Sequence, residues 1–273
     1  MDKTQREAGA AAASFYDALR SGSLSSAALG YAGDFIGQEC TLLPREMLTF
    51  ARRAGVGAGT SVLDVGSGTG GPACFFAEQL GCQVLGVDVS AIGHERAVAR
   101  AKEAGLDDRV QFRLGDIQDI DLPPDSFDVV ITYDTWCHIP QRAALIQRCA
   151  DLLKPGGRMA IFDHVERRPL PAERREHFFT VWHFPVLETP RSYAEALEAA
   201  GLRLTVRDVS SAYAARFYTR LVEGFTAQRE EFEAIRGTER YLEGLDRLQM
   251  SQQFSTSGRL GQVAYIAEKP GGK

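Results

Sequence analysis

The decapeptide from Val62 to Gly71, VLDVGSGTGG, limits what this chain can fold into more than any other stretch. An apolar run carries an acid, Asp64, two positions before a glycine cluster. Gly66, Gly68 and Gly70 or Gly71 let the backbone turn sharply and approach a ligand that a Cβ would block. The loop opens into a helical stretch through Ala73–Leu80, whose N-terminus offers free N–H groups. A second apolar run, QVLGVDVS, ends in another acid, Asp88, 24 positions after Asp64. Strand, glycine loop, helix, strand and acid in this order make the nucleotide-binding half of a doubly wound sheet.

Which nucleotide is bound turns on Asp64. Gly66, Gly68 and Gly71 also satisfy G-x-G-x-x-G, so a dinucleotide reading stays open. A carboxylate beside a pyrophosphate is repelled, however, and that phosphate would claim the helix N-terminus. Beside a cofactor carrying an ammonium and a sulfonium the same carboxylate is attractive, and S-adenosylmethionine (SAM) is such a cofactor. Asp88 can accept both ribose hydroxyls in either case and does not discriminate.

On these residues the chain resembles the class I SAM-dependent methyltransferases. The glycine motif matches as Asp64-Val65-Gly66-Ser67-Gly68-Thr69-Gly70, and the second motif as Gly86-Val87-Asp88-Val89-Ser90. Leu114-Gly115-Asp116-Ile117 matches the adenine-side loop. Phe127-Asp128-Val129-Val130 matches the fourth strand, and Leu152-Leu153-Lys154-Pro155-Gly156-Gly157 the turn before the fifth. The resemblance covers Thr41 to Glu268. It implies an α/β fold: a Rossmann-like, seven-stranded, mostly parallel sheet with helices on both faces and a helical cap or lid. It implies SAM as cofactor, held by Asp64, Gly66, Gly68, Gly70, Asp88, Val89, Asp116, Ile117 and Tyr133. Adenine is expected between Val89 and the Asp116–Ile117 loop.

Composition narrows the acceptor. The chain has 273 residues and a formal net charge of −5. No run of Lys or Arg exceeds a pair, so a nucleic-acid footprint is not expected. No apolar run approaches the ~20 residues needed to span a bilayer. No signal-peptide core is read in the polar, then Ala-rich start, so a cytoplasmic location is expected. Five cysteines at 40, 74, 82, 137 and 149 fit reduced thiols in irregular positions. The five histidines show no metal-ligand spacing, and no metal is expected. A small-molecule acceptor is the expected partner.

Along the chain, 1–54 reads as N-terminal helices and a lid, with helices over 1–20 and 42–54. The glycine-interleaved stretch from Tyr31 to Thr41 is read as a mobile lid. The span 55–163 is the cofactor core, with strands near 61–65, 83–87, 109–114, 127–132 and 158–162. Helices are expected near 71–80, 90–104 and 141–152, and the alternation means a parallel sheet with right-handed crossovers. The span 164–257 carries cap and substrate segments, interleaved with helix 190–200 and strand 202–209. Asp163 to Thr189 is read as outside the sheet, and Ser210 to Ser257 as two amphipathic helices. The span 258–273 holds the last strand, Val263 to Lys269, and the tail. The resemblance makes that strand antiparallel.

Methyl transfer is an in-line displacement in which the protein mainly positions the reactants and sometimes removes a proton. The place to look is the loop after the fourth strand, Tyr133-Asp134-Thr135-Trp136-Cys137-His138-Ile139-Pro140. It is similar to the corresponding loop of phosphoethanolamine methyltransferases. That resemblance implies that Asp134 contacts an amino substrate and His138 removes a proton, with Tyr31 as its partner. Sarcosine and dimethylglycine methyltransferases and many natural-product methyltransferases share the layout. Trp136, His164, His183 and Tyr213 are candidates for touching the substrate. Each has a plainer reading: His138 as a helix cap, Tyr31 as lid packing, Trp136 as wall, Tyr213 as structure. An amine nitrogen is the expected acceptor. Hydroxyl or carbon methylation, or a fold that binds SAM without transferring methyl, stays open.

Overall fold

The computed structural model describes residues 34–271. The expected helix over 1–20 and Tyr31 lie outside the described residues. The first described helix, α1 (Pro44–Arg53), starts at a proline. Glu46 in its first turn accepts from the Leu43 N–H at 2.8 Å, satisfying a donor the helix leaves over. The core then alternates as β1 (Ser61–Val65), α2 (Gly71–Leu80), β2 (Gln83–Asp88), α3 (Ala91–Glu103), β3 (Val110–Leu114) and β4 (Phe127–Tyr133). It continues through α4 (Arg142–Leu152), β5 (Leu153–Glu166), α5 (Ala172–Trp182), α6 (Pro190–Ala199) and β6 (Arg203–Ser210). Helices α7 (Ala212–Ala227), α8 (Arg229–Arg236) and α9 (Thr238–Thr256) precede the last strand, β7 (Leu260–Glu268).

The seven strands lie in the order β3-β2-β1-β4-β5-β7-β6, with β7 antiparallel to both neighbours, as expected. The central parallel strands β1 and β4 bury both faces, so their sequences are mainly apolar, whereas the edge strand β3 (VQFRL) is largely exposed. Val62 and Ile131 face one core with Phe76 of α2, while Leu63 and Val130 face the other with Leu145 of α4. The direction of strand order reverses between β1 and β4. A crevice opens there, beyond the carboxyl ends of the strands, which is where such sheets bind ligands.

Three boundaries differ from expectation. Strand β5 runs from Leu153 to Glu166, so the Lys154–Gly157 turn and Asp163–Glu166 belong to the sheet. The cause is β7, which begins at Leu260 and pairs Asp163 with Val263 and Glu166 with Leu260. The stretch from 210 to 257 forms three helices, because Gln228 and then Gly237, at φ +82°, interrupt the period. Their aromatic stripes, with Phe178 of α5, pack a separate cap core containing Tyr218, Phe225, Phe232 and Phe254. No helix among the described residues is long and apolar enough to cross a membrane. No cluster among them could hold a metal ion.

Candidate active site

The crevice between β1 and β4 opens as a cleft with about 1100 Å³ of empty space, part of it open to solvent, lined by the glycine loop, the ends of β2 and β4, and the strip 37–40. Gly66 turns the chain at φ +82°, and a Cβ there would lie 2.1 Å from Thr135 Cγ2. Gly66 and Gly68 both line the cavity. Gly70 does not: it caps α2 in the left-handed region, and its missing Cβ makes room for Phe112. Its expected cofactor contact is therefore replaced by a packing role.

Asp88 is expected to meet ribose hydroxyls, and the structure shows it shaping the loop as well. Its Oδ2 accepts from the Gly68 N–H at 2.7 Å and its Oδ1 from the Ser90 N–H at 2.8 Å. A carboxylate has about four lone-pair sites, so capacity remains toward the cavity. Val89, Asp116 and Ile117 line the other end, and Asp116 Oδ1 accepts from the Gln118 N–H at 2.9 Å.

Three buried polar atoms of cavity-lining residues have no hydrogen-bond partner among the described residues: Asp64 Oδ2, Tyr133 Oη and Asp134 Oδ1, the last of which stands in ion-pair contact with His164. Burial, with Asp88 nearby, pushes the Asp64 carboxyl up to about 7. Leaving such groups unmatched is unfavourable, and a donor-rich, positively charged ligand would match Asp64. The residues therefore fit a cofactor bearing an ammonium.

At the other end a single 3₁₀ turn, Trp136–His138, brings His138 to the cavity wall with Ile139 and Pro140. Burial pushes the His138 imidazole down to about 3, partly offset by its contact with the His183 carbonyl. Its Nδ1 lies 3.4 Å from that carbonyl oxygen, and its ring stands 5.0 Å from Phe184. An Nδ1–H donated there places the accepting lone pair on Nε2. Asp163 holds this turn from behind: Oδ1 accepts from the Cys137 N–H at 3.1 Å and Oδ2 from the Tyr193 hydroxyl at 2.9 Å. The buried Arg142 guanidinium stands 3.8 Å from the same carboxylate.

Other expected substrate contacts are redirected. Asp134 lines the cavity at φ +46°, but its carboxylate is engaged inside the protein. Its Oδ2 accepts from the Thr41 N–H at 2.8 Å and hydroxyl at 3.0 Å. Its Oδ1 lies 2.9 Å from His164 Nδ1. His164 itself is buried behind Asp134 and does not line the cavity. Trp136 is fully buried in the core with Leu63 and Leu145, so it fills the wall and cannot stack on a substrate. The His183 side chain is exposed, and its contribution is the carbonyl facing His138. Tyr213 packs edge-on against Phe162 at 5.3 Å and opens into a separate groove beside α1. Sequence reasoning missed Asp163, Arg142 and the lining residues Gln38 and Cys40. An acid at a strand end was visible for Asp163, but no local pattern marks the other three.

Known proteins agree with this geometry. A family model described as a methyltransferase domain matches residues 62–157. The chain is 39% identical over 162 residues to methyltransferase GfsG of Streptomyces halstedii, a match that spans 58% of each chain. It is 35% identical over 227 residues to 27-O-demethylrifamycin SV methyltransferase of Amycolatopsis mediterranei, covering 78% of each. A solved phosphoethanolamine N-methyltransferase 2 of Haemonchus contortus shares the fold. Its TM-score is 0.76 at 23% identity, over 94% of this chain and 60% of that one. The fold and crevice define a Rossmann-like nucleotide-binding α/β protein. Within that class the chain belongs to the SAM-dependent methyltransferases, an enzyme family whose cofactor is S-adenosylmethionine.

A cofactor ammonium placed against Asp64 is expected to make cofactor binding depend on pH. The folded carboxyl, raised to about 7 by burial, holds a proton through a range where a free Asp has lost it. Pairing with an ammonium must release that proton. Affinity for S-adenosylhomocysteine (SAH) should therefore climb about tenfold per pH unit up to roughly 7, and then level. It should fall again at higher pH, once the ligand amine loses its proton. In the absence of ligand the raised value works the other way, and this group's stability is lost as pH rises from 3.8 through about 7. Titration calorimetry across this range measures the slope. A slope that survives in Asp64→Asn would break the assignment.

Proposed function

We propose that this enzyme transfers a methyl group from S-adenosylmethionine to a hydroxyl of a medium-sized, largely apolar small molecule, with His138 receiving the hydroxyl proton. The observation that carries this reading is the engagement of Asp134. An amine acceptor of the kind implied by the loop resemblance needs that carboxylate, and both its oxygens already face Thr41 and His164. His138 lines the same cavity and carries the imidazole there that could take a proton.

The base strength points the same way. An alkylammonium holds its proton to about pH 10, far above the reach of an imidazole pushed down to about 3. A hydroxyl makes a smaller demand, because its proton becomes acidic only as the oxygen forms its new bond. A weak, neutral base at hydrogen-bond distance suffices for that late transfer. The name of the relative from Amycolatopsis mediterranei, whose action is at an oxygen, agrees with this choice.

S-Adenosylmethionine supplies, when bound, a methyl group on a sulfonium already activated toward displacement. Asp64 and Tyr133 would hold its amino-acid end, Asp88 its ribose, and Val89, Asp116 and Ile117 its adenine. His138, Ile139 and Pro140 border the acceptor's place in the cavity.

The test offers the enzyme 27-O-demethylrifamycin SV, phosphoethanolamine and dimethylglycine in parallel, with SAH formation as the readout. SAH and an O-methylated product are expected with the hydroxyl acceptor and not with the amines. Turnover of either amine without the hydroxyl acceptor would overturn the reading.

A further inference from the structure

The strip from Ile36 to Leu42 is the front wall of the cofactor cavity, and what fastens it is unusual. At one end the Thr69 hydroxyl of the glycine loop donates to the Gly37 carbonyl at 3.0 Å. Gly71 has no Cβ because the Ile36 carbonyl occupies that place, 2.1 Å from where one would stand. At the other end Thr41 gives both its N–H and its hydroxyl to a single oxygen, Asp134 Oδ2. Between these ties Gly37, Gln38, Glu39 and Cys40 line the cavity.

Asp134 is itself held from the far side. His164 Nδ1 lies 2.9 Å from Oδ1, an ion-pair contact too poorly aligned to count as a hydrogen bond. Burial pushes this imidazole down, but Asp134 beside it, helped by Asp163, pulls it above its ordinary value. His164 Nε2 meets the Tyr218 hydroxyl of α7 at 3.3 Å and the Gln262 amide of β7 at 3.3 Å. Gln262 Oε1 accepts from the Ala214 N–H at 3.3 Å, so its nitrogen faces Thr41, at 3.1 Å from the hydroxyl. Thr41, Asp134, His164 and Gln262 are all buried, where an unmet polar group is unfavourable and each partner fixes the next.

We propose that His164 and Gln262 are positioning residues for the cofactor site: acting through Asp134 and Thr41, they fasten the 37–41 strip over the cofactor and couple it to cap helix α7. Neither His164 nor Gln262 lines the cofactor cavity, so any effect on cofactor binding has to pass through this chain. The coupling is reciprocal, and a ligand that orders the cap tightens the strip, just as a bound cofactor steadies the cap. It does not depend on whether the acceptor is a hydroxyl or an amine.

The experiment uses the whole chain and SAH as the probe, read by titration calorimetry and by hydrogen exchange at the Thr41 amide. His164→Ala should weaken SAH about tenfold, within the usual range of coupling between sites. Exchange at Thr41 should accelerate with it. His164→Asn places an amide nitrogen where Nδ1 stands and should restore most of both. Tyr218→Phe, which removes only the hydroxyl, should give a smaller loss of the same kind. Tyr265→Phe, which removes a hydroxyl bonded to the Pro190 carbonyl and to no member of this chain of contacts, should change neither. If His164→Ala does not fold, Tyr218→Phe and His164→Asn decide the matter. Unchanged SAH affinity and Thr41 exchange in His164→Ala, or in Tyr218→Phe alone, would overturn the proposal. A uniform loss in all variants, Tyr265→Phe included, would reduce it to general destabilisation and overturn it equally.

Discussion

His138→Ala is expected to lower turnover by roughly 10²–10⁴-fold, the usual weight of one acid–base group. SAH affinity should hardly move. His138 sits on a 3₁₀ turn at the acceptor end of the cavity, away from Asp64 and the residues at the adenine end. Its imidazole, pushed down to about 3 by burial, stays neutral through the physiological range. At saturating cofactor the rate should therefore show no inflection near 6.5, where a solvent-exposed histidine would titrate. Turnover and SAH titration measured on the same preparations separate the two effects. Near-native turnover in the variant would show that His138 only shapes the pocket, with catalysis resting on proximity. An inflection near 6.5 that disappears in the variant would contradict the buried, weakly basic imidazole.

Asp88→Ala should be the most damaging single change to cofactor binding. The side chain gives a charge-assisted acceptor to the Gly68 N–H and another to the Ser90 N–H. Each such bond is worth about 1.5–3 kcal/mol, and the bound ribose adds its own. The glycine loop loses its fixed shape together with a ligand contact. A drop in SAH affinity on the order of 10²-fold or more is expected, equivalent to about 3 kcal/mol. Asp88→Asn should fall between, because an amide offers an acceptor to one N–H but opposes the other with a donor. Calorimetry that finds SAH binding intact in Asp88→Ala would remove Asp88 from the site.

The cofactor half was legible because its signals are local. Asp64, Gly66, Gly68 and Asp88 lie within strand–loop–helix units whose geometry is set by neighbours in sequence. Glycine at a positive φ and an acid at a strand end announce themselves in a few residues. The sheet was legible for a similar reason: alternating apolar runs and helical periods leave few ways to build parallel crossovers. The errors fall where partners are distant. Strand β5 is longer than its own residues suggest, because β7, nearly a hundred positions later, pairs its end. The cap broke into three helices rather than two because Gln228 and Gly237 both interrupt it.

The acceptor side was legible only as a place. The loop from Tyr133 to Pro140 was identified, and His138 does reach the cavity. What Asp134 does there could not be read, since Thr41 and His164 are far from it in the chain and nothing in Asp-Thr-x-x-His marks them as its partners. Trp136 and Tyr213 look like substrate contacts in one dimension and are packing in three. By itself the amino-acid sequence determined the class of fold, the cofactor and the strand ends that hold it. These follow from short-range backbone geometry and from charge matched to charge. Only the tertiary structure decided which carboxylate is turned to partners inside the protein and which imidazole lines the cavity. Burial and long-range hydrogen bonding set those roles, and both exist only once the chain has closed on itself.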